Sequence, residues 1–162
     1  MRFTTVMANA FMAGSLFLTL LLCIQPVAAC DVTSISILNL SPAGIRFGTM
    51  LPLSGGTVTL APDDSRSSTG VALLPSCITS AAHFQVSGSA YYSFSIVLPA
   101  STTISSGANS MRVDTFKSSP SGYGVLDRYG NRNLDIGATL HVNSGQPIGN
   151  YSGIYSVTVA YN

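Results

Sequence analysis

The stretch NLDIGATLHV, residues Asn133 to Val142, decides the fold. Leu134, Ile136, Ala138, Leu140 and Val142 share one face of an extended chain, and Asp135, Thr139 and His141 share the other. Successive side chains of a strand point to opposite faces, so this is a strand with one side buried and one side wet. The same period recurs in AYYSFSIVLP, residues 90–99, where Tyr92, Phe94, Ile96 and Leu98 lie opposite Ser93, Ser95 and the more apolar Tyr91 and Val97. Val58 and Leu60 in GTVTL, Phe84 and Val86 in HFQVSG, and Met111 and Val113 in SMRVDTF repeat it on a smaller scale. A helical period is found nowhere after the first thirty or so residues. Clusters of Gly, Ser, Pro and Asn separate these runs: LSGG near residue 55, PASTTISSGANS from Pro99, KSSPSGYG from Lys117 and NSGQPIGNYSG from Asn143. Such clusters mark turns and loops. About seven to nine short strands, each with one apolar face and no helix to cover it, bury those faces only against a second sheet, which predicts an all-β, antiparallel sandwich.

The amino-terminal residues read differently. Met1-Arg2 gives a positive start, Phe11 to Ile24 is an apolar run broken only by Gly14, Ser15 and Thr19, and Pro26 precedes Val27-Ala28-Ala29. This is the pattern of a secretory signal peptide over residues 1–29, with a run too short to span a bilayer comfortably. Residues 30–162 then form one domain, exported to the periplasm, the cell surface or an extracellular fibre. In that part Lys117, Arg46, Arg66, Arg112, Arg128 and Arg132 balance the six aspartates, and there is no glutamate. A chain so balanced lacks the basic field that nucleic acid or an anionic membrane attracts, and it repels its own copies weakly. Cys23 leaves with the signal, so Cys30 and Cys77 remain. An even pair in an exported chain points to a disulfide, which by loop entropy contributes about 4 kcal/mol. The alternative is a lipid anchor, since Val27-Ala28-Ala29-Cys30 resembles a bacterial lipobox with valine where leucine is usual.

No arrangement of side chains announces catalysis, a metal or a cofactor, and the chain is expected to be non-enzymatic with no small-molecule substrate. His83 and His141 fall out of phase with the buried faces of their strands and read as surface residues; no Cys, His or Glu stands near either at ligand spacing. The serines form neither a GxSxG elbow nor an SxxK pair. Asp127, Asn131, Asn133 and Asp135 offer oxygen ligands, but their spacing fits no calcium loop, and a hairpin turn around Tyr129-Gly130-Asn131 explains them more simply. Arg112 and Asp114 share a strand face and are placed to pair. The seven tyrosines, without a tryptophan, suit packing at cores and interfaces better than a carbohydrate platform.

Several blocks, namely IRFGTM (45–50), GGTVTLAP (55–62), AAHFQVSGSAYYSFSIVLP (81–99), LDIGATLHV (134–142) and GNYSGIYSVTVAYN (149–162), resemble a family of exported bacterial β-domains of unknown function. More distantly, the layout is similar to chaperone–usher pilin subunits, in the spacing of its cysteine pair and in a last strand with a penultimate tyrosine. That likeness implies an Ig-like, pilin-like sandwich lacking one strand. Its groove would be filled first by a periplasmic chaperone, working with an outer-membrane usher, and then by an extended segment of another fibre subunit. Tyr155, Val157, Val159 and Tyr161, in phase along GIYSVTVAYN, would form the assembly strand beside the groove. Pilins carry a donor segment ahead of the first cysteine, and here nothing would precede Cys30 after cleavage. A donor would have to come from DVTSISILNLS, where Ile35 and Ile37 fall in one phase and Leu38 and Leu40 in the other; otherwise the same residues form the domain's own first strand. In that second reading the protein is a self-complete surface-binding domain.

Overall fold

A strand of twelve residues, Asn131–Val142, runs through the middle of the larger sheet and carries the alternation that marked it in the sequence: Leu134, Ile136, Ala138, Leu140 and Val142 are buried. The computed structural model describes residues 33–41, 44–75 and 77–162. Among them are twelve strands and no helix: β1 Ser36–Asn39, β2 Met50–Leu51, β3 Gly56–Leu60, β4 Arg66–Thr69, β5 Ala72–Leu73 and β6 Ala82–Ser87, then β7 Ser93–Val97, β8 Ser101–Ser106, β9 Asn109–Ser119, β10 Tyr123–Val125, β11 Asn131–Val142 and β12 Thr158–Tyr161. The proposed signal peptide and Cys30 lie outside the described residues.

Every strand pair is antiparallel. β11 is long enough to hold two partners end to end on one side, β6 against Asn131–Ile136 and β3 against Ala138–Val142, while β9 lies along its other side. β1 continues the sheet beyond β6, β4 beyond β3 and β8 beyond β9, which makes seven strands. β10, β7 and β12 form a second sheet, and β2 and β5 a third of two strands. The sandwich predicted from the alternation is therefore present, with its strands more finely divided than expected.

Two apolar clusters fill it. One gathers Val58, Val71, Met111, Val113, Ala138, Leu140 and Val142, with Phe47, Met50 and Leu73 packed on it from the β2 and β5 side. The other lies between the large sheet and the β10–β7–β12 sheet and gathers Ala82, Val86, Phe94, Ile96, Leu126, Leu134 and Ile136. Ile45 and Phe116 touch both, and the described residues fold as one compact unit.

Two stretches expected to be loops are strands. PASTTISSGANS contains β8, and KSSPSGYG contains the end of β9 and the start of β10. Ser and Thr outnumber apolar residues in β8, which hides the periodicity; its conformation is set by six cross-strand partners in β9, from Ser101↔Asp114 to Ser106↔Asn109. The turn placed around Tyr129-Gly130-Asn131 is found. Asp127 accepts the amides of Tyr129 and Asn131 at 2.8 and 2.9 Å, and Gly130 takes a φ of 75° that suits glycine.

Candidate functional site at the open sheet margins

The segment from Ser152 onward runs antiparallel first to β8 and then to β7. Ser152 and Ser105 exchange backbone bonds of 2.8 and 3.1 Å, and Thr158–Tyr161 then pair with Val97–Phe94. On its other side β12 has no strand among the described residues. Antiparallel pairs alternate between residues that exchange hydrogen bonds and residues that do not. The Asn162 N–H donates to the Ser93 carbonyl at 3.2 Å, so Ala160 and Thr158 also turn their backbone groups toward β7. Those of Val159 and Tyr161 consequently point to the open margin.

β1 presents the matching margin of the large sheet. Its outer partner is missing among the described residues, and its pairing with β6 continues in the Leu40 N–H that donates to the His83 carbonyl at 2.8 Å. By the same alternation the backbone groups of Ile35 and Ile37 point outward. The side chains of Ile35 and Ile37 from one sheet, and of Tyr155, Val157, Val159 and Tyr161 from the other, are half-buried against the same core cluster. The two margins thus flank a seam lined by apolar side chains and unpaired peptide groups, with no charged residue among the six. Burial lifts the Tyr155 phenol to about 12, which keeps it neutral in any ordinary medium.

One end of the seam is clasped. The Tyr161 hydroxyl donates to the Thr33 carbonyl at 2.8 Å and accepts the Ser89 N–H at 2.6 Å, while Thr33 N–H donates to the Ser89 hydroxyl at 2.9 Å. Gly88 makes room for that hydroxyl, since a Cβ there would collide with it. The Tyr161 ring meets Tyr92 edge-on, with centroids 5.5 Å apart.

Tyr155, Val157, Val159 and Tyr161, named from the sequence, pack on one core cluster, and Ile35 and Ile37 pack on the same cluster from the other sheet. Leu38 and Leu40, of the opposite phase, are 60% and 50% exposed and stay out of it. Residues 36–39 form the domain's own first strand on β6, one of the two roles foreseen for them. Cys77 is half-buried, and its expected partner Cys30 lies outside the described residues.

The histidines have partners that spacing along the chain concealed. His83 Nδ1 lies 2.7 Å from Asp135 Oδ1 on β11, and its Nε2 lies 3.5 Å from Asp64 in the turn between β3 and β4. His141 Nε2 lies 2.9 Å from Asp114 Oδ1, which also takes Arg112 at 3.2 Å through its other oxygen, the pair foreseen on β9. No group of three His, Cys, Asp or Glu side chains able to hold a metal occurs among the described residues. The hydrogen bond to Asp135 raises His83 above its usual pKa. The hydrogen bond from His141 lowers Asp114. A raised histidine stabilises the fold below the unfolded pKa of about 6.5 and ceases to do so as pH rises through the folded value; a lowered aspartate stabilises it above about 3.9 and ceases to as pH falls. Urea midpoints are therefore expected to peak in mildly acidic solution. His83→Gln should flatten the alkaline limb, an effect below about 1 kcal/mol because the pair is solvated.

A family model described as a domain of unknown function, DUF4402, matches residues 38–161, from within β1 to the end of β12. No curated protein and no solved structure matches the chain.

Proposed function

We propose that this chain, which belongs to the DUF4402 family of domains of unknown function, is a non-enzymatic, exported structural subunit of a bacterial surface fibre, pilin-like in its assembly. The observation that carries the proposal is the seam. Two sheet margins from the same sandwich face each other with unpaired backbone groups at Ile35 and Ile37 and at Val159 and Tyr161, over apolar side chains. Exposed strand edges are templates for another chain, and an apolar, uncharged edge lacks the lysines and prolines that usually blunt one. An extended strand from another chain would enter along these edges. It supplies the missing backbone partners, each bond adding about 0.5–1.5 kcal/mol net, and its alternate side chains cover Val157 and Val159. Like subunits or other fibre subunits would donate that strand, after a periplasmic chaperone and an outer-membrane usher had held and passed on the open form.

A second reading has its own support. The Tyr161 clasp joins the two margins at one end, and residues 36–39 already serve as a first strand, as a self-complete surface-binding domain requires.

The two are separated by proline at adjacent positions. Val159→Pro removes an N–H that points to the open margin, whereas Ala160→Pro removes one that pairs with β7. In the exporting cell, Val159→Pro is expected to lower the polymeric fraction at least about tenfold while the purified domain still melts cooperatively. Ala160→Pro should weaken the domain itself. Unchanged polymer in Val159→Pro, or a native chain recovered only as a monomer, would favour the self-complete domain.

A further inference from the structure

The sandwich has a second open margin, and its chemistry is the reverse of the first. β9 parts from β11 at Ser119↔Asp135, so residues 131–134 of β11 carry β6 on one side and no strand on the other among the described residues. An open groove of about 500 Å³ lies there, on the scale of small-molecule sites, lined by Gln85, Asp127, Arg132, Asn133 and Asp135. Pro120 and Arg132 also border a second, smaller hollow of about 320 Å³ beside Tyr123.

Two of these side chains are partly committed: Asp135 Oδ1 to His83 at 2.7 Å, and Asp127 Oδ1 to the Tyr129 and Asn131 amides at 2.8 and 2.9 Å. The side chains of Gln85, Arg132 and Asn133 make no hydrogen bond or salt bridge among the described residues. Gln85 and Asn133 are cross-strand partners, so their side chains stand on the same face of the sheet. Asp127 and Asp135 against Arg132 leave a single net negative charge, which repels a polyanion and is too small a field to select a polycation. What it offers is donors and acceptors interleaved: amide N–H and guanidinium beside amide and carboxylate oxygen. A hydroxyl both donates and accepts, and adjacent hydroxyls on a ring match such a set. Tyr123, 67% exposed, adds a flat apolar surface in the hollow beyond Arg132.

We propose that this polar margin binds a neutral saccharide, with ring hydroxyls held by Gln85, Asn133, Arg132 and the free oxygens of Asp127 and Asp135, and with the apolar face of one sugar ring on Tyr123. The assignment stands apart from the fibre reading, since it involves neither β1 nor β12.

The test is an NMR titration of the full mature chain with glucose, galactose, mannose and N-acetylglucosamine and their disaccharides. At least one sugar should shift the side-chain amide signals of Gln85 and Asn133 and the Tyr123 ring signals in a saturable way. Asn133→Ala and Tyr123→Ala should each weaken that binding about tenfold, the loss of one well-placed contact, with melting unchanged because both side chains are exposed. Thr57→Ala, at the far end of the same sheet face, should bind as the native chain does. Silence at those signals for every sugar, binding indifferent to Asn133→Ala and Tyr123→Ala, or occupation of the groove by an extended peptide in place of a sugar would each overturn the proposal.

Discussion

Replacing Phe94 by alanine is expected to destabilise the domain by about 3–5 kcal/mol, measured as a lower urea midpoint at unchanged slope. Phe94 is fully buried, and its ring belongs to the core cluster that joins the large sheet to the β10–β7–β12 sheet. Its edge approaches Gly124 so closely that a Cβ at Gly124 would stand 2.5 Å from Cζ. Its buried neighbours Ala82, Val86, Ile96, Leu134 and Ile136 sit in ladder strands, which limits how far the backbone can close on the space that alanine leaves. The cost should therefore fall in the upper half of that range. A loss below about 1 kcal/mol would mean that the smaller sheet is not packed as described.

Gly137→Ala is expected to cost about 3 kcal/mol by overpacking in place of a void. Gly137 lies in the middle of β11, flanked by β3 and β9, and an added Cβ would run into the Leu60 carbonyl and then the Ala61 backbone. Those are backbone atoms, fixed by the β11 and β3 ladder, so neither rotates away. The register between β9 and β11 also shifts at this point, from Gly137↔Lys117 to Thr139↔Asp114. A methyl group thus falls where the sheet already bends. A bulge beside a glycine is a usual way for a sheet to curl, and Gly137 is needed here for close approach. Alanine at Gly107, whose Cβ would meet nothing within 4 Å, is the control for a glycine without such a neighbour, although its φ of 58° carries a strain of its own. Equal urea midpoints for the two variants would contradict the assignment.

The alternation of β11 and β7 was legible because their apolar residues bury one face and nothing competes with that demand. Phe94, Ile96, Leu134 and Ile136 could be placed in the core by counting in twos. β8 and β4 were not legible. STTISS and RSST have little to bury, and their conformation comes from strands distant in sequence, β9 and β3. The same limit hid the histidine pairs: Asp135 is 52 positions from His83, and only the β6 and β11 register sets them side by side. For the last strand, the phase of Tyr155, Val157, Val159 and Tyr161 was plain, whereas the margin opposite was not. That Ile35 and Ile37 face it follows from β1 lying on β6, a pairing across almost fifty residues that local pattern does not encode. Tyr161 was expected to matter as a contact for a partner, and its hydroxyl clasp to Thr33 and Ser89 came only with the fold. Most of the polar groove stands in one stretch of sequence, Asp127 to Asp135, but Gln85 joins it only through the β6 and β11 register.

Strand acceptance requires that the peptide groups facing the seam lack a partner until another chain arrives. Amide hydrogen exchange of the isolated domain, compared with the same residues after assembly, reads this directly. The amides of Ile35, Ile37, Val159 and Tyr161 are expected to exchange fast in the isolated domain while Ala160 and the centre of β11 are protected, and to become protected on assembly. Equal protection at Val159 and Ala160 in the isolated domain would mean that the seam is already closed, and the strand-accepting role would fall.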